Sequence, residues 1–160
     1  MVLIADSSPL IALATCDALY LLDLIYEEVK IPLEVYKEVT QENKKYSLEL
    51  EEYLKDKIVI LNDNYGVILD FSLEIGEIKS MMLYNKLHAD YLLIDDKRAR
   101  KIAELNNIKT IGTLGVLYEA KEKKTIDFIR PFIIELYNSD IYISKSVCNY
   151  VLKLAGEELI

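Results

Sequence analysis

The sequence predicts an α/β fold of three layers, a central parallel sheet of about five strands with helices on both faces. Three observations carry the prediction. Short, largely apolar runs at residues 2–5, 29–31, 57–61, 91–94 and 108–111 lack the alternation of a strand with one wet face, so each is expected to be buried on both sides. Between them lie longer stretches whose apolar residues recur at three and four, the helical period. Strands and helices then alternate along the chain, which is how parallel strands are connected.

The first strand, Val2–Ala5, is apolar throughout and is cut off by Asp6; Ser7, Ser8 and Pro9 then read as a turn into a capped helix. Asp17 leads a helical stretch carrying Leu21, Leu24 and Ile25. Residues 29–31 form the second strand, and Pro32 opens the next helix at its first position. In that helix Leu33, Tyr36 and Thr40 share one stripe and Glu34, Lys37, Glu38 and Gln41 the other, which puts Glu38 on the polar side. A charged amphipathic helix over 48–55 precedes the third strand, 57–61, which Asn62-Asp63-Asn64 closes. Ile78, Met81 and Met82 mark a helix over 76–87; the fourth and fifth strands, 91–94 and 108–111, flank the helix Lys97–Leu105. Gly112-Thr113 caps a helix through Lys124, and helices over 126–137 and 144–154 finish the chain. With no repeat and no low-complexity linker, residues 1–160 read as a single domain.

Composition narrows the function classes. Twenty-seven acids against 19 bases, net −8, argue against broad electrostatic capture of nucleic acid, so a polyanion would need a local cationic patch or a metal. No apolar stretch approaches the roughly 20 residues of a membrane span, and the N-terminus has no basic region ahead of an apolar core, so a cytoplasmic protein away from membranes is expected. Cys16 and Cys148 lack the spacing of a zinc site and are expected to be buried and reduced. His88, the only histidine, reads as a loop residue, so little can be built on imidazole. The twelve tyrosines show no stacking pattern and are assigned to core and interface.

The carboxylates are more informative. In an open parallel sheet ligands bind at the carboxyl ends of the strands, where strand order reverses. Asp6 ends the first strand and Asp95-Asp96 end the fourth. If those strands are neighbours, acids about 90 residues apart meet, an arrangement that like charges resist unless a cation joins them. Glu38 and Glu77, in the first turn of its helix, could join. All-oxygen donors without histidine favour Mg²⁺ or Mn²⁺, ions that activate water and stabilise phosphoryl oxygens. Each acid also has a plain reading: Asp6 and Asp96 as helix caps, Glu38 and Glu77 as solvated helix acids. Asp95 and Asp96 leave the strand toward opposite faces, so both cannot easily reach one ion unless the chain turns there; Asp96 is the preferred ligand and Asp95 the fallback.

Lys97, Arg98, Arg100 and Lys101 then crowd the start of a helix, where the macrodipole prefers acids. The cost is only about 0.3 to 1 kcal/mol per exposed charge. Nearby carboxylates or a bound phosphate would offset it, which makes Arg98 and Arg100 candidates for phosphate contact or charge balance. By contrast Gly112-Thr113-Leu114-Gly115 lacks the pattern of a phosphate loop and reads as a strand-to-helix turn.

Taken in order, MVLIADSSPLIAL, IPLEVYKEV, LEIGEIKSMML, LLIDDKRARKIAE and IKTIGTLGVLYEAK resemble the PIN-domain fold, and specifically its prokaryotic DUF3368-type branch, over essentially the whole chain. The resemblance implies strand order 3-2-1-4-5, which makes strands one and four neighbours. It implies a Mg²⁺- or Mn²⁺-dependent endoribonuclease similar to the toxin of type II toxin-antitoxin pairs, hydrolysing RNA with a metal-activated water. The implied partners are RNA, a small antitoxin-like protein and a second copy in a homodimer. Residue by residue, Asp6, Glu38 and Glu77 match the first three family acids, and the last falls on Asp95-Asp96. Ser7 or Ser8 would hold a carboxylate or a water through its hydroxyl, unless it simply caps. One departure stands out: the pattern carries a second acid and an alanine two and three residues after Glu77, where this chain has Lys79 and Ser80. That departure motivates the alternative, a weak or inactive PIN-like binding protein. A phosphoryl-transfer domain fits less well, since receivers pair acids at the first strand and dehalogenase-like enzymes want D-x-D there, where Asp6 is followed by Ser7-Ser8.

Overall fold

The computed structural model describes residues 1–62, 66 and 72–160, so the expected turn residues Asp63 and Asn64 lie outside the described residues. Five parallel strands, β1 Val2–Ala5, β2 Glu28–Pro32, β3 Ile58–Val59, β4 Tyr91–Leu93 and β5 Thr110–Ile111, form one sheet in the order β3-β2-β1-β4-β5. The order reverses at β1, whose Leu3, Ile4 and Ala5 pair with Tyr91, Leu92 and Leu93 of β4. The central strands are buried on both faces, as an unbroken apolar run requires. Leu3 and Ala5 point into one core with Val29, Ile31 and Leu93, while Ile4 points into a second with Leu92 and Ile94.

The first core is covered by α1 Ser7–Thr15, α2 Tyr20–Ile25, α3 Leu33–Val39, α4 Ser47–Leu54, α7 Thr113–Glu122, α8 Arg130–Asn138 and α9 Lys145–Leu154; the second by α5 Ile75–Leu87 and α6 Lys97–Leu105. The largest side chains of both, such as Leu10, Leu22, Leu50, Met81 and Leu92, are fully buried, each contributing about 1.5 to 3 kcal/mol of apolar burial.

Several expected details change. Asp17 adopts φ 51 in a turn, and α2 starts only at Tyr20, leaving Leu24 exposed. Pro32 ends β2 and stands at the N-cap of α3 rather than inside it. The buried stripe of α3 is Val35 and Val39, and Leu33, Tyr36 and Thr40 are only partly covered. α8 starts at Arg130 instead of residue 126, because Pro131 belongs in a first turn and would clash with a carbonyl four residues back in a helix interior. His88 ends α5 at φ 48. Cys16 and Cys148 are free and buried, and burial pushes the Cys16 thiol up to about 12, so it stays an inert core group. Among the described residues no helix is long and apolar enough to cross a membrane.

Candidate functional site

β1 hands its last hydrogen bond to the site. The Asp6 N–H donates to Leu93 O at 3.0 Å, extending the β1/β4 ladder one residue and fixing Asp6 at the carboxyl edge where strand order reverses. Asp6 is 4% exposed and faces a cavity of about 130 Å³. Five carboxylates line it, those of Asp6, Glu38, Glu74, Glu77 and Asp96, together with Ser7, Ser8 and the guanidinium of Arg98.

Glu38, Asp96 and Glu77 each have an oxygen held by a donor of the fold, as does Glu74, whose side chain accepts the Glu77 N–H. Ser7 Oγ donates to Glu38 Oε2 at 2.8 Å, Ala99 N–H to Asp96 Oδ1 at 2.8 Å, and Glu74 N–H to Glu77 Oε2 at 2.8 Å. Each bond leaves the second oxygen to a ligand while fixing the group's orientation, the role outer-shell partners play around metal ions. The backbone of α5 presses against the same point: a Cβ on Gly76 would lie 3.4 Å from Glu38 Oε2 and 3.6 Å from Asp6 Oδ1. Asp96 therefore both caps α6 and faces the acids, which joins the two readings its sequence position allowed.

The electrostatic cost is concentrated on the most buried member. Desolvation, with the charges of Glu77, Glu38 and Glu74 beside it, raises the Asp6 carboxyl from 3.8 to about 7. Glu77 is raised as well, by burial and then by Asp96 and Glu74, with Arg98 opposing. Among the described residues no three acids, histidines or cysteines converge closely enough to grip one ion as they stand. The donor chemistry nevertheless suits a hard divalent cation: the donors are all oxygens, and a buried carboxylate is destabilised by like charges that such an ion would neutralise.

Asp95 points elsewhere. Its Oδ1 accepts the Thr113 N–H at 2.8 Å and its Oδ2 the Thr113 hydroxyl, so it fastens the start of α7 to the end of β4. Arg100 goes with it: a Cβ on Gly112 would lie 2.9 Å from Asp95 Oδ1 and 3.3 Å from Arg100 Nη1, so a side chain there would require Asp95 to shift. Of the two candidate phosphate-binding arginines, Arg98 alone lines the acidic cavity. Asp95→Ala is expected to cost about 1 to 2 kcal/mol in urea unfolding while leaving divalent-ion binding unchanged. Asp96→Asn, which can still cap, should show the opposite pattern, and equal loss of ion binding in both variants would refute this division of labour.

A family model described as a PIN domain, DUF3368, matches residues 2–157. The chain belongs to that PIN-domain family. Comparison with curated proteins and comparison with solved structures return no match. The PIN domain is a nuclease fold, and the five-stranded order seen here is the one expected of it. In this PIN domain Lys79, the residue that departs from the family pattern, is half-buried on α5 and does not line the cavity, so no ammonium intrudes among the acids. Ser80 is fully buried beside it. Glu74, which was not among the expected acids, does line the cavity. Its signal was the spacing Glu74-x-x-Glu77, a reciprocal capping box at the start of α5.

Proposed function

We propose that this PIN domain is a Mg²⁺- or Mn²⁺-dependent endoribonuclease, the toxin component of a type II toxin-antitoxin pair acting in the cytoplasm. The observation that carries the reading is the meeting of Asp6, Glu38, Glu77 and Asp96, from four separate segments of the chain, in one cavity at the carboxyl edge of β1 and β4. When bound, the ion supplies an activated water and neutralises charge on the phosphoryl oxygens. The protein's part is to hold Glu38, Glu77 and Asp96 on fixed donors, keep Asp6 dry, and present Arg98 at the rim, where a guanidinium can meet a phosphate oxygen in two parallel hydrogen bonds. Lys97 and Lys101 are exposed on the same helix, so a chain of net −8 still offers RNA one local cationic approach.

The expected result is Mn²⁺-stimulated cleavage of single-stranded RNA by protein freed of any bound inhibitor, reduced at least about a hundredfold in Asp6→Asn. Stripped wild-type protein that leaves RNA intact would refute the proposal.

The second reading, a PIN-like binding protein without chemistry, draws on the apolar surface of the C-terminal helices. Val147, Tyr150 and Leu154 are exposed at helical spacing on α9, and Tyr142 before it is 96% exposed. An antitoxin-like partner or a second copy would cover such a face. Calorimetry separates the readings: divalent-ion binding that Asp96→Asn abolishes is incompatible with a purely structural role for the acids.

A further inference from the structure

Glu74 is an unexpected choice for the residue that starts α5. Helix N-caps favour Asn, Asp, Ser and Thr, whose short side chains reach the amides of the first turn, and the reciprocal box typically places Ser or Thr opposite a later Glu. Here both members are glutamates. The Glu74 side chain accepts the Glu77 N–H, and Glu77 Oε2 accepts the Glu74 N–H at 2.8 Å. A serine at 74 would serve the helix as well and would add no charge. The glutamate instead brings another negative charge beside Asp6 and Glu77, at a place where four acids already face a single guanidinium.

Its position differs from those of Asp6 and Glu77 and is shared, among the lining acids, with the exposed Asp96. Asp6 and Glu77 are buried at the base of the cavity, whereas Glu74 is exposed at the rim and still lines it. A carboxylate there can take part in ion binding without the desolvation that burdens Asp6. Lys79, the departing residue two positions past Glu77, supplies no charge to the cavity from its own place on α5.

We propose that Glu74 is a fifth carboxylate of the divalent-ion site, binding the ion from the rim while its cap holds Glu77 in orientation. The inference rests on the metal-dependent reading above. Cap and charge are separable by substitution. Glu74→Gln keeps a side-chain oxygen for the Glu77 N–H and removes the charge. Glu74→Ser is a better cap but too short to reach the ion.

The test is Mn²⁺ titration of the purified full chain, by calorimetry and by the paramagnetic resonance signal of free Mn²⁺, with thermal unfolding of the metal-free protein alongside. Both variants are expected to bind Mn²⁺ about tenfold more weakly than wild type while unfolding at the same or a higher temperature without metal. Wild-type affinity in both variants would reduce Glu74 to a helix cap and overturn the inference. If Asp6→Asn abolishes binding in the same assay, that outcome leaves the nuclease reading standing. Wild-type protein that binds no Mn²⁺ overturns the inference and the metal-dependent reading together.

Discussion

Asp6→Asn is expected to raise the stability of the metal-free protein at pH 8 by about 3 to 4 kcal/mol, while removing the residue on which the proposed cleavage would depend. The sign follows from the direction of the shift. The carboxyl is raised from 3.8 to about 7, so the folded protein holds this proton more tightly than the unfolded chain does. Its contribution is fully present below the unfolded value and is lost as pH rises through the folded one. At pH 8 the wild type carries a buried carboxylate among like charges, and asparagine carries none. The difference should shrink below pH 7 and vanish near pH 4. In thermal unfolding it amounts to about 10 °C for a chain of this size. Divalent metal narrows the gap, since an ion bound only by the folded wild type adds about 2.7 kcal/mol at a hundred times its dissociation constant, and closes it at a thousand times, where the gain is about 4.1 kcal/mol. If wild type and variant melt together at pH 8 without metal, the assignment of Asp6 as the strained member of the site is wrong. On the proposed reading such an acid costs stability in the metal-free protein and would return binding energy when a cation is bound.

What could be read in advance was whatever one segment decides by itself. Val2–Ala5 is a strand because its apolar run ends abruptly at an acid, and that ending also places Asp6 on the functional edge. The neighbouring of β1 and β4 was a condition of the acid argument, and the strand order came from the family resemblance. Details set by distant partners were out of reach. Asp95 and Asp96 are equivalent in sequence until Thr113, 18 residues on, supplies the amide and hydroxyl that turn Asp95 away. The phase of α3 shifted because Val35 and Val39 face the core that α1 and α4 share. Glu38 still reaches the cavity, because the Ser7 hydroxyl holds it there. Glu74 is different: its spacing to Glu77 reads locally as a helix cap, and only the cavity shows that it also faces the other acids.

The C-terminal helices depend on one buried carboxylate, and Glu157→Ala is expected to cost about 3 kcal/mol of stability. The Glu157 side chain is 5% exposed and takes the Lys121 ammonium at 2.6 Å on Oε1, the Ile129 N–H at 2.9 Å and the Arg130 N–H at 2.8 Å. Lys121 also donates to Ala155 O at 2.7 Å, so a single cluster ties α7, the start of α8 and the segment after α9. Burial alone would push the carboxyl up, but the Lys121 hydrogen bond and the two amides more than reverse it, and the group lies below its usual 4.5. A lowered carboxylate stabilises above its unfolded value and loses that contribution as pH falls through its folded one. Urea unfolding should therefore separate wild type from Glu157→Ala clearly at pH 7 and much less at pH 3. Glu157→Gln, which keeps an acceptor for the amides and loses the ion pair, should fall between them. Equal stability of all three at pH 7 would mean that the C-terminal layer is held by its apolar face alone, through Ile133, Leu136, Cys148 and Leu152. The acidic cavity lies at the carboxyl edge of the sheet, on residues these contacts do not include, so Mn²⁺ binding at 25 °C should survive in every variant that remains folded.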